Sequence, residues 1–289
     1  MTATAPSSHH LGIHGLTHHY LSWGESAASA VVLLHGLRSY AYTWDRLART
    51  LADSHYLVAP DFRGRGDSAW DPVRNYYLDT YLADLEELVS QLGLGRFAVI
   101  GHSLGGAVGY AYAARHPEHV TKLIVEDIGP GSSTHTAGAD RILRELGDVP
   151  TTFDSLDDVR AYWRRIRPDI ADEALDSRVR NTVRPGPGGR WEWKLDMQGI
   201  AEARRNGDPG RSPDLWSCVD ALQCPTLVIR GGASDFLAVE TCEQLTRRQP
   251  LIRWVEVPAA GHYVHDDNPE AVIDLVTDFL AGTAGRVAP

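Results

Sequence analysis

The sequence has 289 residues, of which 43% are hydrophobic and 23% are charged, a composition typical of a globular chain with a large core. Its formal net charge of −10 argues against a nucleic-acid partner, because phosphate binding requires a basic surface. No apolar run approaches the roughly 20 residues of a membrane span, and the N-terminus lacks the apolar block of a secretory signal. We therefore expect a cytoplasmic protein, monomeric or homodimeric, that acts on a small molecule without a nucleic-acid or membrane partner.

Cysteines and N-terminal histidines do not support a metal site. Cys218, Cys224 and Cys242 are an odd number without a Cys-x-x-Cys spacing, which favours free thiols in a reducing compartment. Five histidines lie between His9 and His19, but adjacent strand residues point to opposite faces and no carboxylate lies among them. We predict exposed strand histidines, no metal and no cofactor.

Short apolar runs alternate with helical patterns from residue 30 onward. Runs at 30–34, 56–59, 97–100 and 122–128 predict buried strands, and apolar residues at helical spacing predict helices between them. This alternation is typical of a mostly parallel central sheet flanked by helices on both faces. The predicted fold class is therefore α/β.

The alternation stops after residue 129 and resumes near the run at 226–230. Residues 130–216 have the pattern of helices and polar loops, and they are too many for a loop. We predict a helical cap (lid) at 130–216, inserted into a core of residues 1–129 and 217–289. Large rings in this segment either contact the substrate or anchor the cap, and anchoring is favoured. These rings are Tyr162, Trp163, Trp191 and Trp193.

The run at 97–100 leads into Gly101-His102-Ser103-Leu104-Gly105, followed by a stretch rich in Ala and Gly that can continue as a helix. Strand, sharp turn and helix form the context of a nucleophile elbow. Glycines on either side of the turn let the strand and the helix pass closely. Ser103 is therefore the candidate nucleophile, and a glycine-rich turn that only eases packing is the structural alternative.

Two further polar residues follow predicted strands. Asp235 comes after the run at 226–230, and His262 comes after the last predicted strand. An imidazole with a pKa near about 6.5 can accept the serine proton at neutral pH, while a carboxylate holds its tautomer. We predict a triad of Ser103, Asp235 and His262. Glu126 or Asp127, after the preceding strand, is the alternative acid.

The run at 30–34 ends in His35-Gly36-Leu37-Arg38. An open α/β sheet places its chemistry in loops at the carboxyl ends of strands. We predict that the backbone amides of Leu37 and Leu104 form the oxyanion hole. His102, beside the nucleophile, is a further candidate substrate contact.

These motifs resemble those of the α/β-hydrolase superfamily, in the group of small serine hydrolases with a helical cap. The matching segments are His35-Gly36, Asp61-x-Arg63-Gly64-x-Gly66-x-Ser68, Gly101-His102-Ser103-x-Gly105-Gly106, Gly231-x-x-x-Asp235 and Gly261-His262. The resemblance implies the α/β-hydrolase fold and a Ser–Asp–His triad. It says little about the substrate, because esterases, lactonases, C–C bond hydrolases and cofactor-free haloperoxidases resemble one another at these motifs. Serine at the elbow departs from the dehalogenases and epoxide hydrolases, which have aspartate there.

We predict a serine hydrolase that cleaves a carboxylic ester or lactone through an acyl-enzyme. One alternative is a C–C bond hydrolase for a diketone or ring-fission product, whose carboxylates would meet Arg164, Arg165 or Arg167 of the cap. Two others are a cofactor-free haloperoxidase and a ligand receptor that keeps the triad but signals through its cap.

Overall fold

The computed structural model describes residues 5–134 and 136–282. The strands, numbered in chain order, are β1 (Ser7–Ile13), β2 (Leu16–Trp23), β3 (Ser29–Leu34), β4 (His55–Pro60), β5 (Phe97–His102), β6 (Val120–Glu126), β7 (Thr152–Phe153), β8 (Val183–Pro185), β9 (Trp191–Trp193), β10 (Thr226–Gly231) and β11 (Ile252–Val257). The helices are α1 (Asp45–Leu51), α2 (Leu78–Leu92), α3 (Leu104–Arg115), α4 (Ala137–Gly147), α5 (Leu156–Ile166), α6 (Asp172–Asn181), α7 (Met197–Arg205), α8 (Leu215–Asp220), α9 (Val239–Arg248), α10 (Val264–Asp267) and α11 (Pro269–Ala281). Short 3₁₀ turns lie at Ala41–Trp44, Pro187–Gly189 and Pro209–Arg211.

One large sheet organises the described chain, with strand order β1-β2-β4-β3-β5-β6-β10-β11. Pairing is antiparallel from β1 to β2 and from β2 to β4, and parallel across the rest of the sheet. The central strand β5 is buried along its whole length. Because parallel strands end at the same edge, the loops after β3, β5, β6, β10 and β11 come together there.

Apolar clusters cover both faces of this sheet. One face packs against α2 and α3, whose buried residues include Leu85 and Val108. The other packs against α1 and α11, whose buried residues include Leu47 and Val276. The predicted α/β architecture, mostly parallel with helices on both faces, is confirmed.

Residues 130–216, called the inserted segment here, contain more than the predicted helices. They form helices α4 to α7, the start of α8, and a small antiparallel sheet with the order β7-β9-β8. Strands of two or three residues are too short to show a readable alternation in the sequence. The predicted boundary between residues 216 and 217 falls inside α8, which packs against α3.

The predicted exposure of the N-terminal histidines is wrong for two of them. His18 and His19 are only 3% and 2% exposed. His19 Nδ1–H donates to Asp61 Oδ2 at 2.6 Å, and the His19 amide donates to Ser68 Oγ. Asp61 lies in the loop after β4. Strand β4 pairs with β2, and this pairing brings Asp61 into contact with His19.

Two bulk observations concern the described residues. Cys218, Cys224 and Cys242 are free and buried. Among the described helices, none combines the length and apolar character needed to traverse a bilayer.

Candidate active site

Ser103 occupies the sharp turn between β5 and α3. Its backbone has φ +52° and ψ −115°, a conformation that side-chain-bearing residues rarely adopt. A Cβ on Gly101 would lie 2.4 Å from Gly105 O, and a Cβ on Gly105 would lie 2.1 Å from Leu34 O. Glycine is therefore required at both positions for the strand and helix to pass. The result is a strained elbow that places Ser103 at the carboxyl edge of the sheet.

A continuous hydrogen-bond chain links Ser103 to a histidine and an acid. Ser103 Oγ–H donates to His262 Nε2 at 3.0 Å. His262 Nδ1–H donates to Asp127 Oδ2 at 2.8 Å. All three residues are buried, and the Phe236 ring packs against the His262 ring with centroids 4.2 Å apart. In this geometry the imidazole can take the serine proton while the carboxylate holds the tautomer.

The structure places Asp127, and not Asp235, at His262, which corrects the preferred acid of the sequence prediction. Asp235 instead binds Arg141 of α4 through two hydrogen bonds of 2.8 and 2.9 Å. Hydrogen bonding to Arg141 lowers the pKa of the Asp235 carboxyl. The neighbouring Ser234 donates to Asp127 Oδ2 at 2.5 Å.

Chain position could not separate these two acids. Asp127 follows β6 and Asp235 lies shortly after β10, and these strands are neighbours in the sheet. Both carboxylates therefore reach the same edge. The deciding contact is Arg141, which comes from the inserted segment, and no local pattern indicates that pairing.

Glu126, the other alternative acid, binds a different histidine. His265 Nδ1–H donates to Glu126 Oε2 at 2.6 Å, and Thr43 Oγ1 lies 3.1 Å from His265 Nε2. Burial acts to lower the pKa of His265, but the charge of Glu126 and its hydrogen bond outweigh burial, and this pKa is raised. A buried histidine–carboxylate pair thus lies directly beside the pair of Asp127 and His262.

His102 separates the two histidine–acid pairs. Its ring centroid is 4.9 Å from that of His262 and 4.9 Å from that of His265. His102 Nε2–H donates to the backbone oxygen of His262 at 2.8 Å. Burial and the two neighbouring imidazoles lower the pKa of His102, which keeps the ring neutral. With only 1% exposure, His102 supports the backbone of His262, and this contact favours a supporting role over the predicted substrate contact.

The loop after β3 lies against the elbow. A Cβ on Gly36 would lie 3.5 Å from Ser103 Cβ, so the backbone of the next residue, Leu37, is close to the nucleophile. His35 holds the loop, because its Nδ1–H donates to Gly36 O at 2.7 Å and its Nε2 accepts from the Phe62 amide at 3.1 Å. Burial lowers the pKa of His35 to about 4, so the ring stays neutral at neutral pH.

Leu104 is the first residue of α3. Its N–H lies in the first turn, where the helix's own hydrogen bonds leave amides without partners. The amides of Leu37 and Leu104 remain the predicted donors of an oxyanion hole.

Helix α4 bridges the loops on two sides of the elbow. At one side Arg141 binds Asp235, which precedes the Phe236 that packs on His262. At the other side Glu145 accepts from Arg38 Nη1 at 2.5 Å. Arg141 and Glu145 also bind each other at 3.0 Å, which completes a chain of ion pairs along the helix.

The predicted aromatic contacts pack mainly with one another. Tyr162, Trp163 and Trp193 are buried, with ring centroids 5.3 to 5.9 Å apart in edge-to-face contacts. Trp191 is half-buried on β9. These contacts favour the anchoring alternative, because the rings form the apolar centre of the inserted segment.

The three arginines considered for substrate carboxylates have partners within the protein. Arg164 binds Asp172, and Arg165 lies on the surface with 61% of its side chain exposed. Arg167 is buried and binds Asp266 and Asp267.

Two groups of described residues bring potential metal ligands together. One is the set His116, Glu118 and His119, and the other contains His19, Asp61 and Asp67. The Asp61 oxygens already accept hydrogen bonds from His19 and from backbone amides, so protein donors satisfy this carboxylate. Neither group includes a member of the Ser103–His262–Asp127 chain.

A family model described as the alpha/beta hydrolase fold matches residues 29–269. The chain belongs to the α/β-hydrolase family. It is 31% identical to an esterase of Mycobacterium tuberculosis over 90% of this chain and 85% of the relative. It is 29% identical to the 3-hydroxybutyrate-oligomer hydrolase of Cupriavidus necator over 94% of both chains. The crystal structure of E-2-(acetamidomethylene)succinate hydrolase has a TM-score of 0.85 at 25% identity, covering 96% of this chain and 100% of that one. The named relatives are hydrolases and esterases, and the chain is a hydrolase of this family.

Proposed function

We propose that the protein is a serine hydrolase that cleaves a carboxylic ester or lactone through an acyl-enzyme intermediate. The observation that carries this proposal is the chain from Ser103 Oγ to His262 at 3.0 Å and from His262 to Asp127 at 2.8 Å. The similarity to an esterase and to an oligomer hydrolase supports ester chemistry.

In the first half-reaction Ser103 Oγ attacks the substrate carbonyl carbon while His262 Nε2 takes the hydroxyl proton. The carbonyl oxygen becomes an oxyanion and accepts hydrogen bonds from the backbone amides of Leu37 and Leu104. The carbon–oxygen bond to the leaving group then breaks. His262 gives its proton to the departing alkoxide, and the acyl group remains on Ser103.

In the second half-reaction water replaces the alcohol. His262 takes a proton from a water molecule while the water oxygen attacks the acyl carbon. The same two backbone amides donate hydrogen bonds to the new oxyanion. The bond to Ser103 breaks, and the serine oxygen takes back the proton from His262. Asp127 accepts the Nδ1–H bond throughout and stabilises the imidazolium in both halves.

Replacement of Ser103 tests the proposal. The S103A protein is expected to lose labelling by a fluorophosphonate probe and to hydrolyse p-nitrophenyl acetate at least about 1,000-fold more slowly. The matched control is S90A, because Ser90 is an exposed serine of α2, and it should keep its rate within about twofold. Normal turnover by S103A would contradict the proposal.

A further inference from the structure

Three buried side chains next to the oxyanion loop carry polar atoms without partners. Arg38, Ser39 and Arg178 are 3%, 1% and 1% exposed. Arg38 Nε, Ser39 Oγ and Arg178 Nε find no hydrogen-bond partner among the described residues. A buried charged donor without an acceptor is unfavourable and therefore unusual in a folded protein. We call these three residues the donor cluster.

The members of the donor cluster lie together. Arg178 Nη1 donates to the backbone oxygen of Arg38 at 3.4 Å. Both guanidinium groups lie over the ring of Trp163, at 5.2 Å for Arg38 and 4.9 Å for Arg178. Arg38 belongs to the core and Arg178 to the inserted segment, so the cluster is at the junction of these two parts.

The donor cluster also lies near the reacting groups. Arg38 directly follows Leu37, whose amide is the proposed oxyanion donor. Arg178 lies 5.0 Å from the ring centroid of Tyr263, and that ring lies 5.3 Å from the ring of His262. One aromatic ring, that of Tyr263, therefore lies between Arg178 and His262.

The acids that face these arginines are shared with other arginines. Glu145 binds both Arg38 and Arg141. Asp266 binds both Arg178 and Arg167. Arg141 and Arg167 also pair with Asp235 and Asp267, so the charges balance, and the unpartnered Nε–H groups of Arg38 and Arg178 are what a further acceptor would satisfy.

We propose that the substrate carries a carboxylate on the part that extends from the reacting carbonyl, and that Arg38, Ser39 and Arg178 bind it. Two charged Nε–H donors and one hydroxyl suit the two acceptor oxygens of a carboxylate. This inference names the substrate class of the proposed hydrolase and so rests on that function for its chemistry.

Charged and neutral esters of the same shape test the inference. The monomethyl ester of glutaric acid carries a carboxylate, and the methyl ester of glutaramic acid has an amide in its place. Release of methanol gives kcat/KM for both. We expect the wild-type protein to favour the charged ester at least about 10-fold, as for a charged hydrogen-bonded pair.

Variants assign that preference to the donor cluster. R38Q is expected to lower kcat/KM for the charged ester about 10- to 100-fold and to change the amide ester much less. S39A is a smaller change, and it should lower kcat/KM several fold for the charged ester only. The control R46Q removes an exposed arginine that binds Glu173 and Glu270, and it should leave the preference unchanged. The ratio of the two values within one preparation cancels any loss of folded protein.

A binding measurement separates this inference from the proposed hydrolysis. Glutarate is expected to raise the melting temperature of S103A, and to do so much less in S103A/R38Q and S103A/S39A. Equal kcat/KM values for the two esters in the wild-type protein would overturn the carboxylate site. An equal loss of kcat/KM for both esters in R38Q and S39A would also overturn it, and so would equal stabilisation of all three S103A proteins by glutarate. Glutarate binding that depends on Arg38, in a protein that hydrolyses no ester, would support the site and contradict only the proposed hydrolysis.

Discussion

Asp127 accepts hydrogen bonds from three donors, two of them at the carboxyl end of β10 and one in the loop after β11. These donors are the Gly231 amide at 3.0 Å, Ser234 Oγ at 2.5 Å and His262 Nδ1 at 2.8 Å. Its own backbone has φ +50°, in the left-handed region. Three donors hold the carboxylate in one orientation, so that one oxygen faces His262. Asp235 has Arg141 as its partner and no such role.

Replacement of the two acids distinguishes their roles. D127N is expected to lower kcat about 10,000-fold, because an amide cannot hold the imidazole in the tautomer that accepts the serine proton. D235N loses the charge and one of the two hydrogen bonds that pair with Arg141 on α4, and it should lower kcat less than about 10-fold. Both values are measured with p-nitrophenyl acetate on proteins with matching circular dichroism. A deeper loss in D235N than in D127N would reverse the assignment.

The pair of Glu126 and His265 predicts a pH-dependent stability. The pKa of His265 is raised in the folded protein, so the stabilisation is complete below its unfolded value of about 6.5 and is lost as pH rises through the folded value. The stability advantage of wild type over E126Q should therefore be largest in mild acid and shrink in alkali. Melting temperatures from about pH 5.5 to about pH 9 measure this difference. The control E243Q breaks an exposed ion pair with Arg247 on α9, and its melting temperature relative to wild type should show no such trend. A melting-temperature difference between wild type and E126Q that stays constant at all pH values would refute the prediction.

At the scale of elements, the elbow depends on how closely β5 and α3 approach their neighbours. The helix follows Ser103 immediately, and its first residues face the end of β3. Small residues allow this contact, because backbone atoms take the space that side chains would occupy. The strained conformation of Ser103 is thus maintained by packing around it and not by the serine itself.

A methyl group at Gly105 tests this dependence. In G105A the new Cβ would lie 2.1 Å from Leu34 O, so the backbone must shift. We expect a loss of about 1–3 kcal/mol in the free energy of unfolding and a lower kcat, since Ser103 moves with the helix. The control is G95A, where a Cβ meets nothing within 4 Å. Urea unfolding and p-nitrophenyl acetate turnover give both quantities, and equal stability of the two variants would contradict the argument.

At the scale of the whole molecule, a buried ion cluster joins the inserted segment to the core. Arg167 and Arg178 both bind Asp266, which lies on α10 just after His262. Burial alone would raise the pKa of the Asp266 carboxyl, but these two arginines hold it well below its usual range. The same contact that attaches the inserted segment therefore also holds the helix that follows His262.

Removal of the Asp266 charge should be far more damaging than removal of an exposed charge. D266N leaves Arg178, only 1% exposed, without its carboxylate, and we expect a loss of about 3–5 kcal/mol in the free energy of unfolding. E270Q, whose partner is Arg46 and whose side chain is 72% exposed, should lose about 0–1 kcal/mol. Urea unfolding at neutral pH measures both.

The pH dependence gives a second measure of the Asp266 contribution. Because the folded pKa is depressed, the stabilisation is present above the unfolded value of about 3.9 and is lost as pH falls towards the folded value. The difference in the free energy of unfolding between wild type and D266N should therefore become smaller in acid. A gap at neutral pH no larger than that of E270Q would show that the cluster does not hold the two parts together.

Local sequence patterns were enough to predict the large sheet, the elbow at Ser103 and the position of His262 at a strand end. Strand runs, helical periods and the glycines around Ser103 act over a few residues, so their physical consequences can be read along the chain. Ser103 and His262 follow strand ends, and parallel strands bring such ends to one edge. These features needed no knowledge of distant contacts.

Long-range contacts establish which acid faces His262, which histidines are buried and where buried donors lack partners. Arg141 and Asp235 are 94 positions apart, and Arg38 and Arg178 are 140 apart. Partner choice among ionic groups depends on burial and distance in space, because the charge interactions that decide it fall off over a few ångströms and carry no period along the chain. For that reason Asp127 was only an alternative in the sequence, whereas its place beside His262 is plain in the folded protein.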